Sequence, residues 1–548
     1  MARILITPLL LLIVLLLLVV APLAKLFTAG FYEGGVFTLK HFSILLHPFT
    51  YKTLINTLII ASGSTLLSTV LGVILAWCTV RVNTPFRGIL GNMVIWPMII
   101  SPLLGALAWA TLLSPKAGLI NILLTRWLNL PPLNIYSHFG VIWVTSLYLT
   151  PYVYIYTSSS LRAMDPALEE ASSTLGASNL KTAFRITLPL SRPAIVFAAI
   201  LIFIVSLGIF DTPAILGIPG KIYVVATEVY SIVSWYPPEY GAATALSLLL
   251  FLISFCIIYL QRRMIGGARE YVTITGKAYQ PRIIDLGRGK YITFAFCIIY
   301  VVLAVGMPLS ALLLASFLPY LSPEMNLASM SLKNYIFVLE NPRVVSTILN
   351  TLLLASVGAT IGILLAFFIS YTVYRTELRG RAILNALTLI PVTVPAIVLG
   401  FAYLWLYIGL PIYGTLLALL LAYITRFLPV ASRATDSTMF QIHSELEESA
   451  RILGASALHR IRTVIVPLAK YGLLGGWVLL FILISRELAT IILLYTPQTT
   501  VVPALLFDLW ENGLVCEAAA LSLVLLATVV IPIVVVQKLG AKIIFEAM

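Results

Sequence analysis

Few residues in this sequence have the type and setting to do chemistry. Asp211, in Ile209-Phe210-Asp211-Thr212-Pro213-Ala214, and the adjacent Arg486 and Glu487 are ionisable groups set in long apolar runs. An ionised side chain near a bilayer centre costs about 2.5–3.5 kcal/mol on insertion scales, so such groups usually face a cavity or a partner. An internal repeat with an offset of 278 residues, set out below, sends Asp211 to position 489, within one helical turn of Glu487. Two readings follow. The acids line a path for cationic or polar cargo, or Arg486 pairs with Glu487 or a neighbouring helix to stabilise a gate. Arg426, also inside an apolar run, is expected near a membrane edge with its head group snorkelling.

Other chemistries lack their residues. A phosphate-cradling loop needs G-x-x-x-x-G-K-[ST]. The nearest strings, Gly220-Lys221-Ile222 and Gly289-Lys290-Tyr291, have neither the leading glycine nor the hydroxyl residue. No nucleophile–base pair or carboxylate dyad stands out, so the chain is not expected to be an enzyme. Cys78, Cys256, Cys297 and Cys516 sit in or beside apolar runs, without a C-x-x-C, and read as small packing residues. The five histidines show no metal-cage spacing, and no cofactor or metal is expected.

Two polar segments are different. The first, near 165–189, begins Asp165-Pro166-Ala167-Leu168-Glu169-Glu170-Ala171. Asp165 suits a helix N-cap and Pro166 a first helical residue, and Glu169 and Glu170 fall near the positive end of the helix dipole. Leu168, Ala171 and Leu175 form one apolar stripe, and Gly176 permits the left-handed stop. The second segment, near 443–467, starts with Ser444-Glu445-Leu446-Glu447, a capping-box pattern. Leu446, Ala450 and Leu453 repeat the stripe, and Gly454 ends it. A basic helical stretch follows each glycine and is expected to close at Pro189 and Pro467.

The elements that must hold these residues are membrane helices. Of 548 residues, 60% are hydrophobic and only 10% charged, too little charge to cover a soluble protein of this size. Apolar runs of about 20 residues recur from 4–24 to 518–537, twelve in all. They include 89–113, 193–216, 383–408, 413–430 and 472–495. The first run exceeds a usual signal-peptide core and is expected to stay as a span. Lys and Arg number 24 in loops and ends on the N-terminal side against 8 on the other, which puts both termini in the cytoplasm. The net charge of +13 is therefore topological, and no nucleic acid is implied.

The halves repeat. Asn56-Thr57-Leu58, Arg81, Arg87 and Pro97 recur as Asn350-Thr351-Leu352, Arg375, Arg381 and Pro391 at an offset of 294, whereas Gly176 and Pro189 recur as Gly454 and Pro467 at 278. The first half thus has 16 extra residues, expected around 116–138. The expected organisation is a first half at 1–265, a cytoplasmic linker at 266–290 and a second half at 291–548, two parallel six-helix repeats with a path between them.

On these residues both polar segments resemble the EAA loop of ABC importer permeases, E-A-A-x-x-x-G, nine residues, then I-x-L-P. The first copy reads Glu170-Ala171-Ser172, Gly176, Ile186-Thr187-Leu188-Pro189. The second reads Glu448-Ser449-Ala450, Gly454, Val464-Ile465-Val466-Pro467. The resemblance implies an all-α membrane protein of the type I importer permease fold, multi-pass in the cell membrane. It also implies coupling helices that insert into a separate ABC ATPase dimer, with Glu169, Glu170, Ala171, Gly176, Glu447, Glu448, Ala450 and Gly454 as the coupling residues. An extracytoplasmic solute-binding protein would be the other partner. Gly118-Leu119-Ile120-Asn121, Ile135-Tyr136-Ser137, Pro151-Tyr152-Val153-Tyr154, Thr212-Pro213-Ala214-Ile215-Leu216-Gly217 and Arg486-Glu487-Leu488 resemble fused ferric-iron-type permeases, close to thiamine, polyamine and aminophosphonate relatives. Where those relatives often read Phe-Gly-Thr-Pro, this chain has Phe210-Asp211-Thr212-Pro213. An ion-coupled secondary transporter would share the twelve spans in two parallel repeats but gives no reason for two coupling-type loops; a structural or channel-like membrane protein without energy input is the other alternative.

Overall fold

A computed structural model describes residues 2–33, 35–265, 283–322, 327–376, 378 and 380–538. Most of the expected linker, 266–282 with Gly266, Gly267 and Gly276, lies outside the described residues, as do Arg269, Lys277, Arg282, Arg379 and Lys542.

The first set of helices runs α1 (Pro8–Phe31), α2 (Pro48–Val80), a bent pair α3 (Arg87–Met98) and α4 (Pro102–Leu113), then α5 (Leu119–Trp127) and α6 (His138–Ala163). It continues with α7 (Ala167–Thr174), α8 (Ala183–Leu207), α9 (Val225–Ser234) and α10 (Tyr240–Ile265). The second set runs α11 (Gly287–Phe317), α12 (Pro342–Arg375), a bent pair α13 (Arg381–Thr393) and α14 (Ala396–Tyr407), and α15 (Leu416–Gln441). It ends with α16 (Ser444–Ile452), α17 (Ala457–Ser485), α18 (Val502–Glu511) and α19 (Val515–Lys538). Ten of these helices are individually long and apolar enough to cross a bilayer, and α3–α4 and α13–α14 supply the third and ninth crossings. The fold is all-α, with twelve crossings in two repeats. A third bent pair, Pro213–Gly220 with α9, is an addition between the fifth and sixth spans.

The bends have local causes. A residue before proline is pushed out of the helical region. Ser101 precedes Pro102 with ψ 143°, and Val394 precedes Pro395 with ψ 119°. The chain turns by 93° at the first and 109° at the second. The helices repeat at the offsets of the motifs: α4 and α14 differ by 294 residues, and α6 and α15 by 278. The 16 extra residues are α5 and its trailing loop, as expected. Asn121 staples them, its Nδ2 donating to the carbonyls of Leu113, Ser114 and Leu133 at 2.8–3.1 Å.

Three expectations change. The fifth and eleventh spans, read as 193–216 and 472–495, stop at Leu207 and Ser485, so Arg486 and Glu487 lie in the turn just beyond the eleventh, whereas Asp211 opens the short helix that follows the break after the fifth. Apolar composition continues past these points, which is why hydropathy runs through. The basic stretches do not close at Pro189 and Pro467. A π turn at Ala183–Thr187, repeated at Ile461–Ile465, widens the helix where proline lacks its N–H, and the helix continues into the span. Finally, α15 extends to Gln441, which leaves Arg426 near mid-helix. It does not snorkel; its Nη1 donates to the Val394 carbonyl at the α13–α14 break, 3.0 Å away.

Each set lends its first span to the other. Tyr403 on α14 donates its hydroxyl to the Leu18 carbonyl of α1 at 2.7 Å. Tyr300 on α11 donates to the Leu147 carbonyl of α6 at 2.9 Å. These hydroxyls are buried, and a phenol in an apolar setting needs such a partner.

Candidate coupling and translocation site

The two EAA-like segments fold as short helices, α7 and α16, on the same side of the bundle, since each follows an even-numbered span. Asp165 Oδ1 accepts from the Ala167 amide at 2.9 Å, but the helix starts one residue later than expected, at Ala167, with Pro166 at the N-cap position. The capping box at Ser444 does not form: the N-cap position is His443, without a side-chain bond. Both helices end in the same double turn. Gly176 N donates to the Ser173 carbonyl and Ala177 N to that of Ser172, at 3.0 and 3.1 Å. Gly454 and Ala455 repeat this with Arg451 and Ala450, both at 3.0 Å. The closure needs a left-handed residue, and φ is +77° at Gly176 and +83° at Gly454.

The outer faces of these helices are uncovered. Leu175 and Leu453 are each 87% exposed, and Leu168, Leu446 and Ile452 are also exposed. Glu170, Ala171 and Glu448 point outward with them, and Ala450 is half-buried. The preceding acids turn inward, contrary to an outward coupling role. Glu169 is 2% exposed: its Oε2 meets Arg81 Nη1 at 3.0 Å, and Oε1 accepts from the Thr187 hydroxyl at 2.7 Å. Arg81 is fully buried and also donates to the Leu161 carbonyl at the end of α6, 2.9 Å away. The second set keeps the grip with other atoms. Arg375 donates to the carbonyls of Met439, at 2.7 Å, and Ile442 at the end of α15. Glu447 accepts from Tyr371 Oη at 2.7 Å and pairs with Arg460 at 3.3 Å. The sequence marks Arg81 and Arg375 as loop cations and repeat landmarks, without assigning them this grip. Their recurrence at one offset, at the end of a span, was the available signal.

In the middle of the bundle the turns after α8 and α17 cross to the opposite set. A Cβ on Gly208 would lie 2.6 Å from Pro395 Cβ, in the α13–α14 break. Arg486, the repeat equivalent of Gly208, donates through Nη1 to the carbonyls of Met98 and Ile100 in the α3–α4 break, the latter at 3.3 Å. Arg486 therefore makes no ion pair with Glu487; it ties the two sets together through backbone. Glu487 Oε1 accepts from the Thr490 amide and hydroxyl at 3.2 and 2.7 Å. Asp211 lies within electrostatic reach of both Glu487 and Arg486, and its buried Oδ1 has no hydrogen-bond partner among the described residues. The three residues singled out from sequence are thus brought together. Beside them Phe210, Tyr230 on α9 and Phe507 on α18 form an aromatic trio with centroids 5.3–5.8 Å apart. Tyr230 and Phe507 occupy equivalent positions, so their contact marks the axis relating the sets. Among the described residues no group of three or more His, Cys, Asp or Glu could hold a metal ion.

Residues 68–269 and 358–543 match the family described as binding-protein-dependent transport system inner membrane component. The chain is similar to the ferric transport system permease protein FbpB of Actinobacillus pleuropneumoniae, 28% identical over 505 residues, 90% of this chain and 72% of that protein. It is similar to the putative ferric transport system permease protein FbpB 1 of Haemophilus influenzae, 28% identical over 493 residues, 88% and 76% of the two chains. The spermidine/putrescine transport system permease protein PotB of Escherichia coli is 29% identical over 230 residues, 41% of this chain and 82% of its own.

Proposed function

This chain belongs to the binding-protein-dependent transport system inner membrane component family, with the family domain present twice, and from that premise we propose how it works. It is a fused, two-half permease of an ABC importer, a multi-pass membrane protein of a family of transport subunits that are not enzymes. In our reading a separate ABC ATPase dimer seats on α7 and α16. Residues 1–265 and 291–548 are the two halves, and both termini lie in the cytoplasm with the linker. Glu170, Glu448 and the leucines around them meet the ATPase, while Glu169 and Glu447 hold the helices to the bundle. An extracytoplasmic binding protein delivers cargo to the opposite side, and the segments holding Asp211, Arg486 and Glu487 line the path.

The observation that carries this reading is the pair of glycine-ended helices with bare apolar faces at equivalent positions. Burying a leucine side chain is worth roughly 1.5–3 kcal/mol, so two such faces invite a partner. The proposed cargo is ferric iron, supported by similarity to ferric permeases across nearly the whole chain. Acidic side chains at Asp211 and Glu487 suit a cationic or polar cargo. The likeness to PotB makes a polyamine the competing cargo.

The test is purification of the tagged chain from its native membranes, followed by uptake into proteoliposomes. An ATPase should co-purify at two copies per chain, and uptake of radioactive ferric iron should need ATP. Asp211→Asn with Glu487→Gln should slow that uptake. Uptake that proceeds without ATP, or no associated ATPase, overturns the coupling reading. ATP-driven spermidine uptake with no iron uptake overturns the cargo alone.

A further inference from the structure

The repeat landmark Asn-Thr-Leu has a physical task. Near the start of α2, Thr57 Oγ1 accepts from the Val225 amide, the first N–H of α9, at 2.9 Å, and Asn56 Nδ2 donates to the Tyr223 carbonyl just before it at 3.0 Å. Near the start of α12, Thr351 Oγ1 accepts from the Val502 amide, the first N–H of α18, at 2.8 Å, and Asn350 Nδ2 donates to the Thr500 carbonyl at 3.1 Å. Donor, acceptor and helix position repeat in every particular. The first N–H groups of a helix have no partner within it. Here a neighbouring span supplies one, as a capping residue would. Extra ties are set-specific: Glu228 on α9 accepts from Thr50 at 2.9 Å and from Thr53, and Asp508 on α18 accepts from Tyr495 at 2.8 Å and meets Arg343 at 3.7 Å.

The moored helices are the ones whose Tyr230 and Phe507 meet on the axis between the sets. The mooring spans end on the coupling helices. α2 is one unbroken helix from Pro48 to Val80, and the residue after it, Arg81, grips Glu169 of α7. α12 is unbroken from Pro342 to Arg375, and its Tyr371 bonds Glu447 of α16. The latch at Thr57 and the grip at Arg81 are 24 residues apart, about 36 Å at 1.5 Å per residue. Rigid elements of this kind carry coupling between distant sites.

We infer that Asn56-Thr57 and Asn350-Thr351 are latches that hold α9 and α18 together across the path, and that α2 and α12 are the rods by which α7 and α16 release them. The rods rest on the proposed coupling function; the latches do not. A rod displaced at its lower end shifts the hydroxyl from under the helix N-terminus and frees α9 and α18, the pair that plugs the path.

The experiment uses Tyr230→Cys with Phe507→Cys in a chain carrying Cys78→Ala, Cys256→Ala, Cys297→Ala and Cys516→Ala, and measures coupling by a short thiol cross-linker in nanodiscs, without nucleotide. Thr57→Val with Thr351→Val removes one hydrogen bond from each plug helix. Each bond is worth about 1 kcal/mol, roughly fivefold in the closed-to-open ratio, so cross-linking falls. Thr57→Ser with Thr351→Ser keeps the hydroxyls and restores it. Equal yields in the valine and parent chains, or loss in the serine chain as well, overturn the latch. For the rods, the same pair is read after trapping the purified assembly with ATP and vanadate. Cross-linking should fall in the parent and hold steady once Arg81→Leu and Tyr371→Phe free the lower ends. A fall of equal size in that variant overturns the rods. A parent that binds no ATPase sinks the proposed function, while the nucleotide-free result on the latch still stands.

Discussion

Splitting the Arg81–Glu169 pair should unseat the first coupling helix, and the structure sets the size of the effect. An exposed ion pair contributes about 0–1 kcal/mol. This one is different: Arg81 is fully buried, the Glu169 side chain is 3% exposed, and the N–O distance is 3.0 Å. Removing one partner of a buried pair costs about 3–5 kcal/mol, because the other charge is left unpaired away from water. At 1.4 kcal/mol per decade that is roughly two to three and a half orders of magnitude in the fraction of time α7 stays docked on the bundle. Glu169→Gln keeps an acceptor for Thr187 but strands the guanidinium, whose remaining bond is to the Leu161 carbonyl. Arg81→Leu strands the carboxylate. The double variant leaves no buried charge and should cost well below the sum of the two. The assay is amide hydrogen exchange at Leu175, Gly176 and Ala177, with bulk insertion followed separately. Protection of these amides should drop sharply in each single variant and recover substantially in the double. Additive losses, or singles with parent-like exchange, would refute the reasoning. The corresponding change in the second set, Glu447→Gln, should be milder, since Glu447 and Arg460 are 14% and 17% exposed and Tyr371 remains as donor.

Gly176→Val with Gly454→Val should abolish ATP-coupled uptake while the protein still inserts. A Cβ at either glycine meets nothing within 4 Å, so the cost is left-handed backbone strain of about 1–3 kcal/mol confined to the double turn. Undiminished cargo-stimulated ATP hydrolysis by the reconstituted variant would count against it. Asp285 gives a pH test on the same side of the bundle. The Gly287 amide and the Asn83 side chain hold its carboxyl below its ordinary 3.8. A depressed folded-state pKa contributes stability above the unfolded value and loses it as pH falls through the folded one. The pairing of Val82 with Ile284 should therefore be indifferent to pH above about 4 and loosen only below it. Exchange at the Ile284 amide reads this, and Asp285→Asn should abolish the dependence.

Much of this architecture was legible because lipid imposes a coarse rule that composition obeys. Span count, repeat offsets and the inserted α5 all follow from apolar length and from landmarks such as Asn56 and Pro189. Helix ends were less legible. Hydropathy cannot see that Gly208 and Arg486 stop their helices to touch the other set, since the residues beyond them are just as apolar. Propensity also misled at Ser444-Glu445-Leu446-Glu447, where a capping box lost to tertiary partners: Tyr371 and Arg460 offer Glu447 more than the local amide does. Arg426 falls near mid-helix because α15 continues to Gln441, well past the end of the apolar run at 430. The inward turn of Glu169 could not be read from two adjacent glutamates, as which one faces the bundle depends on the rotation of a helix set by Arg81.

The exchange of first helices between the sets has a consequence for biogenesis. The Leu18 carbonyl on α1 finds the Tyr403 hydroxyl 385 residues further along the chain. At about 5–20 residues per second a ribosome needs roughly 20–80 s to make that seat. For that interval α1 sits in the bilayer without its permanent neighbours from the second set, and a degradation pathway or an insertion chaperone has its widest window then.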